Sequence, residues 1–428
     1  MGRQAGLDLE AVEFYIRSAM LSVGAGVLER LLHGMAVGRQ DQPCLCRHGH
    51  VPRKMESSGV QEKTIQTILG PVRFARSRYV CPVCDDVEYP GDRLLGVAGT
   101  GFSPGLRRLM TRAGCRESFG EAAEDLLVYG AIRVDPKDDE RVAEQMGRLI
   151  DDWMREQASA AVLGVPQDAG LKTIPTLYIA LDGTGAPMRQ SEVAGRKGKG
   201  EDGRAKTREV KLGCVFTQTT LDEEGNPRRD PDSTSYVGAI ESSADFGQRL
   251  YAEAVRRGLK RADRTAVLSD GAEYNAKIAQ EHFPDAPHIL DFYHAKEHLS
   301  DFVKDNTPHA PNGPFHQECY GLMDEGRIEE LLDRMLTGLP RSGPRRALGL
   351  KAINYFAERK EQMRYGEFRR QGFFVGSGVI EAGCKTLIGK RLKQSGMFWS
   401  VAGANAIIAA RCCLYSGRFE QFWEDLGS

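Results

Sequence analysis

Two aspartates stand where a sheet edge could present them. Asp182 closes the apolar run Leu177-Tyr178-Ile179-Ala180-Leu181 and precedes Gly183-Thr184-Gly185; Asp270 closes Ala266-Val267-Leu268-Ser269 and precedes Gly271. A carboxylate at the end of a buried strand points from a rigid edge into a crevice, and a following glycine lets a phosphate backbone come close. Two such ends on neighbouring strands would offer two carboxylates to one divalent ion. A third acid is needed for a two-metal site, and Glu381 is the candidate. It is the single acid in the apolar helix start Gly378-Val379-Ile380-Glu381-Ala382, four residues before Lys385. Taken alone, Glu381 reads equally as a first-turn acid favoured by the helix dipole, or as the i,i+4 partner of Lys385. Gly183-x-Gly185 lacks the third glycine of a nucleotide-binding fingerprint.

A second chemistry is written in the cysteines. Cys44-x-Cys46 and Cys81-x-x-Cys84 are separated by strand-like sequence. Two knuckles joined by a small hairpin sheet would place four thiolates around one tetrahedral zinc, a closed and hence structural site. His48 or His50 could replace one of the cysteines. Arg47, Arg53, Lys54, Arg73, Arg76 and Arg78 surround the pairs, which suits phosphate contact, although a solvated charged face reads the same way. Cys115, Cys214, Cys319, Cys384, Cys412 and Cys413 lack knuckle spacing and read as packed small hydrophobes.

The stretch His294-Ala295-Lys296-Glu297-His298 matches H-x-x-E-H, in which two histidines one turn apart bind catalytic zinc. An inverted-zincin metalloprotease using His294, Glu297 and His298 is therefore the rival enzyme reading. The histidines could instead line a nucleic-acid site or pack where their helix begins. Basic runs at Arg189–Lys211 and Arg369–Lys393 flank the acids; Arg208, Lys211, Lys385, Lys390, Arg391 and Lys393 are the candidates for phosphate contact. Phe398 and Trp399 read as core, with base stacking the lesser alternative.

These side chains need elements to hold them. Leu9, Val12, Ile16, Met20, Val27 and Leu31 fall near one face of a helix over residues 1–38, followed by Gly34 and Gly38. Residues 41–90 have the composition of short strands and turns. Ser103 as N-cap and Pro104 at the first position begin a helix, a second runs near Glu117–Tyr129, and a third follows Asp135-Pro136. Strands are expected at 176–182, 210–218, 235–240, 265–270 and 287–292, with helices at 244–258 and from Tyr274. Residues 294–370 read as mostly helical, and Gly376–Trp423 as two helices around Gly396. Three strands followed by helix, strand, helix, strand is a mixed α/β sequence. The one loose stretch is Gly195–Gly203.

Composition bounds the classes. The 428 residues suggest two to four domains. With 41% hydrophobic and 27% charged residues, the chain can build packed cores, which excludes wholesale disorder. A net charge of −1 excludes a polyelectrolyte binder, so any hold on nucleic acid must come from local patches. No uninterrupted apolar run is long enough for a membrane span and the first residues are acidic, so a soluble cytoplasmic protein with no membrane partner is expected.

Joined, these stretches resemble insertion-sequence transposases of the Asp-Asp-Glu class, most closely the ISKra family (the fourth of that name). The likeness lies in Asp182-Gly183-Thr184-Gly185, Arg208 through Gly213, Ser269-Asp270-Gly271-Ala272, Ile289 through Leu299, Gly376 through Trp399, and the two cysteine knuckles, so it covers nearly the whole chain. Ala272-Glu273-Tyr274 departs from that family, which often has Trp there. The resemblance implies an α/β fold with an RNase H-like catalytic core, the first Asp ending strand one, the second ending strand four, and the Glu on a helix after strand five. The core would be interrupted by a helical insertion and preceded by a small zinc ribbon and a helix-turn-helix-like region. The expected division is an N-terminal helix at 1–40, a zinc-ribbon-like domain at 41–100, and a helical DNA-binding or linker domain at 101–172. The core would follow at 173–294, the insertion at 295–372, and the C-terminal core helices at 373–428.

By that resemblance Asp182, Asp270 and Glu381 hold two Mg²⁺ (or Mn²⁺) ions. The carboxylates alone imply phosphodiester hydrolysis. Attack of the freed 3′-hydroxyl on target DNA, double-stranded DNA as partner, a homodimer or higher assembly on DNA, and a bacterial, nucleoid-associated location come from the likeness. A non-catalytic zinc-ribbon regulator derived from such an enzyme is the other alternative.

Overall fold

The structure is a computed structural model describing residues 8–35, 37–39, 43–46, 48, 52–164, 173–198 and 203–427. The chain divides into two compact units, Met1–Met146 and Gly147–Ser428.

The first unit begins with helix α1 (Leu9–Gly34), whose N-cap Asp8 accepts from the Ala11 amide. A two-stranded ladder, β1 (Leu45–Cys46) with β2 (Arg53–Lys54), precedes a three-stranded antiparallel sheet of β3 (Glu56–Thr67), β4 (Gly70–Val80) and β5 (Val87–Glu88). Ala25, Leu28 and Leu32 of α1 pack with Ile65, Val72 and Phe74 of the sheet. Of the helical stripe read from the sequence, Leu9, Ile16, Met20, Val27 and Leu31 face solvent. Periodicity locates an apolar face but not what covers it. The helix is also long and apolar enough to cross a membrane by length and composition. A search for uninterrupted apolar runs passes over it because Glu13 and Arg17 break the run.

A short helix α2 (Pro90–Leu94) is followed by α3 (Pro104–Arg116), α4 (Phe119–Gly130) and α5 (Pro136–Val162), the last carrying the chain into the second unit. Ser103 caps α3 with Pro104 at its first position, as read from the sequence. Ser118 and Glu121 form a reciprocal capping box on α4. Arg76, expected at phosphate, instead pairs with the buried Asp92 beside Lys63 and lies over the Tyr89 ring. Arg47 and His50 lie outside the described residues.

The second unit is built on a five-stranded mixed sheet in the order β10-β7-β6-β11-β12. The strands are β6 (Ile174–Pro187), β7 (Thr207–Gln218), β10 (Ser235–Ala239), β11 (Ala262–Ser269) and β12 (His288–Leu290). A short helix α6 (Gln190–Val193) follows β6, and a small ladder of β8 (Thr220–Leu221) with β9 (Pro227–Arg228) precedes β10. The first three sheet strands are antiparallel neighbours, while β11 runs parallel to β6 and β12 parallel to β11. Parallel pairing requires crossovers, and the chain supplies α7 (Ser243–Arg256) before β11 and α8 (Glu273–His282) before β12. Leu177 through Leu181 are wholly buried. A strand covered on both faces reads as an unbroken apolar run, which is why the alternation expected of a half-exposed strand is absent.

Between β12 and the C-terminal helices lie α9 (Phe292–Asn306), α10 (Pro314–Asp324), α11 (Ile328–Gly338), α12 (Pro344–Glu358) and α13 (Tyr365–Arg370). Then α14 (Gly378–Gly383) runs through one π-helical turn, Cys384–Gly389, into α15 (Lys390–Leu392). The almost wholly apolar α16 (Val401–Tyr415) packs on β10, where Asn405 accepts from the Ile240 amide, and α17 (Phe419–Gly427) ends the described chain. The C-terminal stretch thus holds three helical segments where two were expected.

Candidate active site and candidate metal centre

The strand register brings the two aspartates side by side. Ser269 of β11 is opposite Leu181 of β6 in the parallel ladder, so Asp270 and Asp182 are the next residues on neighbouring strands. Asp270 leaves β11 there, but Asp182, expected to end its strand, lies within β6, which continues to Pro187 paired with β7. Strands at roughly 5 Å spacing and in parallel register turn such a pair to one face. Burial raises the Asp182 carboxyl above its ordinary range; the Cys384 thiol and the Gly183 amide bond to it and oppose this, while the charges of Asp270 and Glu381 push it further up. The three acids therefore act on one another at one sheet edge. Among the described residues their oxygens do not form a set lying wholly within 4.8 Å, the separation that groups Cys46, His48 and Cys84.

Asp270 is held from its own side. Its Oδ1 accepts from the Ala272 amide at 3.1 Å and from the side chain of the fully buried Asn275 at 2.5 Å. A strand end that turns directly into α8 thus fixes its carboxylate through the first residues of that helix.

Each glycine that follows an aspartate is covered by a tyrosine. A Cβ on Gly183 would lie 2.5 Å from the Tyr274 hydroxyl and 2.7 Å from Glu209 Oε1, and one on Gly271 would overlap the Tyr355 hydroxyl. The sequence reading took these glycines as room for phosphate; in the structure the room holds phenol oxygens. Tyr274 is pushed well above its usual value by burial and by Glu209, Asp270 and Asp182, which places its hydroxyl among the acids. Its signal was available in principle, four residues after Asp270 at the start of a helix. Tyr355 comes from α12, and nothing local marks it.

Glu381 is positioned by a relay. Asp291 follows β12 as Asp270 follows β11, and the Asp291 amide bonds to the Ser269 carbonyl at 2.8 Å. Its buried carboxylate accepts from the His294 amide at 2.6 Å and from the Ser377 amide at 2.5 Å. The Ser377 hydroxyl bonds to Glu381 Oε1 at 3.2 Å, and Lys385 stands 3.9 Å from Oε2. Glu381 thus has its i,i+4 lysine, and its charge acts on Asp182. Cys384, three residues on and on the same helical face, bonds to Asp182. It had been read as packing alone. The π turn it begins is anchored by the buried Arg411, which donates to the carbonyls of Thr386 and Leu387 at 2.6 Å each. Such turns recur beside functional residues.

The basic candidates separate by direction. Lys385, Lys390 and Lys393 are exposed, the last reaching Thr184 Oγ1 beside Asp182. Arg208 is half-buried, opposite Ala186 in the β6–β7 ladder. Arg391 is a correction: it is wholly buried beneath Trp399, with Met397 sulfur 3.5 Å from Nη1, and cannot meet phosphate. Lys211 is buried too, spanning Glu209 Oε2 at 3.0 Å and the Glu241 carbonyl at 3.1 Å. Counting charges along a helix does not say which of them point outward. Trp399 is core, but Phe398 is 63% exposed, against expectation.

His294 and His298 face each other across one turn of α9, Nε2 to Nε2 at 3.1 Å, and the His298 ring lies 4.4 Å from Tyr355. Burial, with His294 and Arg359 nearby, lowers His298. Glu297 is exposed, and among the described residues no third ligand joins the two imidazoles. The pair sits near the start of the helical segment, with His298 packed beside Tyr355.

In the first unit Cys46, His48 and Cys84 bring their ligand atoms within 4.8 Å of one another. Cys46 and Cys84 sulfurs are 3.6 Å apart, and Cys81 is hydrogen-bonded to both. The His48 amide bonds to Cys46 sulfur and favours the thiolate, yet burial and the neighbouring thiols push Cys46 up to about 11. The amides of Val83 and Cys84 bond to Cys81 and lower it. Amide-to-sulfur bonds of this kind hold thiolates ready for a cation. His48 Nδ1 also lies 3.2 Å from Asp86. Cys44, expected in the set, packs against the cluster of Cys46, Met55 and Cys81 but is not in the Cys46–His48–Cys84 group: its sulfur is 3.8 Å from that of Met55, whose amide bonds to the Cys44 carbonyl. A Cys-His-Cys group able to hold a metal such as zinc is present.

No protein-family model matches the chain, and no curated protein matches it. Among solved structures it is similar to the Drosophila P element transposase strand transfer complex. Identity is 11%, the TM-score is 0.33, and the alignment covers 74% of this chain and 93% of that one. Likeness at that level carries no argument about what the chain does.

Proposed function

We propose that the chain is a DNA transposase whose second unit is an RNase H-like catalytic core, with Asp182, Asp270 and Glu381 as ligands of two Mg²⁺ or Mn²⁺ ions. The observation that carries this reading is the register of two neighbouring strands. Asp182 within β6 and Asp270 just after β11 follow paired residues of adjacent parallel strands, and the charges of Asp270 and of Glu381, on a later helix, act on Asp182. The strand order β10-β7-β6-β11-β12 supports it, since that order puts the first and fourth sheet strands of the chain together at the centre. The resemblance of the surrounding stretches to Asp-Asp-Glu transposases supports it as well.

The donor set fits hard cations. Burial, and after it the charges of Asp270 and Glu381, raise Asp182, so its carboxylate gains from a cation, and oxygen is the ligand such ions prefer. When bound, the ions would supply charge for the attacking and leaving oxygens of a phosphodiester. The chain's own residues do the rest. Asn275 and the Ala272 amide orient Asp270, Cys384 and the Gly183 amide orient Asp182, and Ser377 orients Glu381. Lys385, Lys390 and Lys393 offer cations to the phosphates on either side of the scissile bond. Cleavage at the transposon ends would free a 3′-hydroxyl, which then attacks target DNA in the same site. In the first unit Cys46, His48, Cys81 and Cys84 would hold a structural zinc, four protein ligands leaving no position for water.

The test is cleavage and strand transfer on labelled duplexes bearing the element's ends, with Mg²⁺ or Mn²⁺. Asp182→Asn, Asp270→Asn and Glu381→Gln should each abolish both steps and retain DNA binding. A wild-type chain that binds those ends and never cuts them is a regulator, and the catalytic reading then fails.

A further inference from the structure

Helix α1 carries a seam that nothing in its own unit covers. Written as heptads with Leu9 at d, Ile16, Val23 and Arg30 follow at d, while Glu13, Met20 and Val27 fall at a. Leu9, Ile16, Met20, Val23 and Val27 are each between 51% and 64% exposed. The residues that pack on the sheet, Ala25, Leu28 and Leu32, occupy f and b, the opposite face. Glu29, at c, is engaged there as well, accepting from the Arg73 amide at 3.2 Å. The fold thus uses one side of α1 and turns a knobs-into-holes stripe outward over about 39 Å of helix.

The two charged residues in the stripe decide the partner. In an antiparallel pair each a residue meets a d residue of the other helix. Centring the pair between Met20 and Val23 sets Met20 against Val23, Ile16 against Val27, and Glu13 against Arg30. The only acid and the only base of the stripe therefore meet each other, twice by symmetry. A parallel pair would set Glu13 against Glu13 and Arg30 against Arg30. Ala19 and Gly26 flank the centre of the stripe, both exposed, and let two backbones approach. A lipid bilayer crossed by residues 11–28 would have to bury Glu13 and Arg17 in hydrocarbon.

The geometry points to a second copy of this chain as the occupant. Two α1 helices pair antiparallel through Leu9, Glu13, Ile16, Met20, Val23, Val27 and Arg30, forming a twofold, self-complementary interface. This does not depend on the catalytic reading of the second unit.

Sedimentation velocity on the full chain, without DNA and across the micromolar range, tests it. A reversible dimer is expected, and Met20→Asp should leave monomer with unchanged helix content and melting temperature. Glu13→Arg and Arg30→Glu should each weaken the dimer at least about tenfold through like charges in the seam. The double variant E13R/R30E should restore it. A chain that stays monomeric overturns the proposal, as does a dimer that Met20→Asp leaves intact. A double variant no better than either single one also rules out the antiparallel pairing. Co-sedimentation of the wild-type chain with phosphatidylcholine–phosphatidylglycerol vesicles, lost in Met20→Asp, would assign the stripe to a membrane surface instead.

Discussion

Asp291 and Ser377, 86 residues apart in sequence, are joined by a 2.5 Å hydrogen bond from the Ser377 amide to the Asp291 carboxylate. The bond ties the end of β12 to the start of the helix bearing Glu381, and it spans the whole helical segment between them. Asp291 is therefore a positioning residue. Asp291→Ala leaves two buried amides unpaired, at about 1–3 kcal/mol each, and should lower the melting temperature clearly. Asp291→Asn keeps the volume and one acceptor. It should fold and bind DNA normally while cleavage falls about 10–100-fold. Full cleavage by Asp291→Asn would show that Glu381 finds its place without the tie.

Gly271 and Tyr355 make a second pair whose coupling is measurable. A methyl group on Gly271 collides with the Tyr355 hydroxyl, so Gly271→Ala should cost about 1–3 kcal/mol in chemical denaturation. The hydroxyl is buried without a hydrogen-bond partner among the described residues, so Tyr355→Phe alone should be neutral or mildly stabilising. Adding Tyr355→Phe to Gly271→Ala should recover part of the loss, because the nearest obstructing atom is gone. Simple additivity of the two substitutions would mean the chain relaxes elsewhere.

What the sequence exposes and what it hides divide along physical lines. The five sheet strands overlap the strands expected at 176–182, 210–218, 235–240, 265–270 and 287–292, because their buried parts carry runs of apolar residues. Asp270 follows β11 directly, whereas Asp182 is followed by five more residues of β6, a continuation that Gly183-Thr184-Gly185 does not signal. Asp291 follows Ile289-Leu290 at the end of β12. Direction is what the sequence does not encode locally. The stripe on α1, the burial of Arg391 and Lys211, and the exposure of Phe398 depend on which other segment arrives, and those segments lie far away in the chain. Tyr355 reaches Gly271 from such a distance. Spacing of cysteines located the knuckles but could not choose between Cys44 and His48, since that choice rests on which way one side chain turns.

That choice carries its own prediction. Zinc content of the purified chain, measured by elemental analysis, should be one per chain. Cys44→Ser should keep it, because its sulfur rests on Met55 outside the group. Cys46→Ser, Cys81→Ser and Cys84→Ser should lose it, and His48→Ala should weaken retention against a chelator. Loss of zinc in Cys44→Ser with retention in His48→Ala would restore the four-cysteine set.

Acid sensitivity should concentrate in a network on the second unit. Asp151 of α5, Glu241 after β10 and Arg249 of α7 are linked at 2.7 Å (Arg249 Nη1 to Asp151) and 2.8 Å (Arg249 Nε to Glu241), with Arg155 2.9 Å from Asp151. Burial alone would raise Asp151, but the guanidiniums of Arg249 and Arg155 outweigh it and hold the carboxyl below its usual range. Glu253, buried and bonded to Arg256, is likewise held low. A carboxyl whose folded value lies below its unfolded one, near 3.9 for Asp and about 4.3 for Glu, stabilises the fold above that unfolded value. The contribution is lost as pH falls through the folded value. Melting temperature should therefore hold at neutral pH and drop steeply below about pH 4. Asp151→Asn should melt lower at pH 7, by about 1–3 kcal/mol of stability, because Arg249 loses a charged partner in a buried site. Its curve should then converge on the wild type at low pH, where wild-type Asp151 is itself protonated. Parallel curves for the two proteins over the whole acid range would show that the network does not set acid stability.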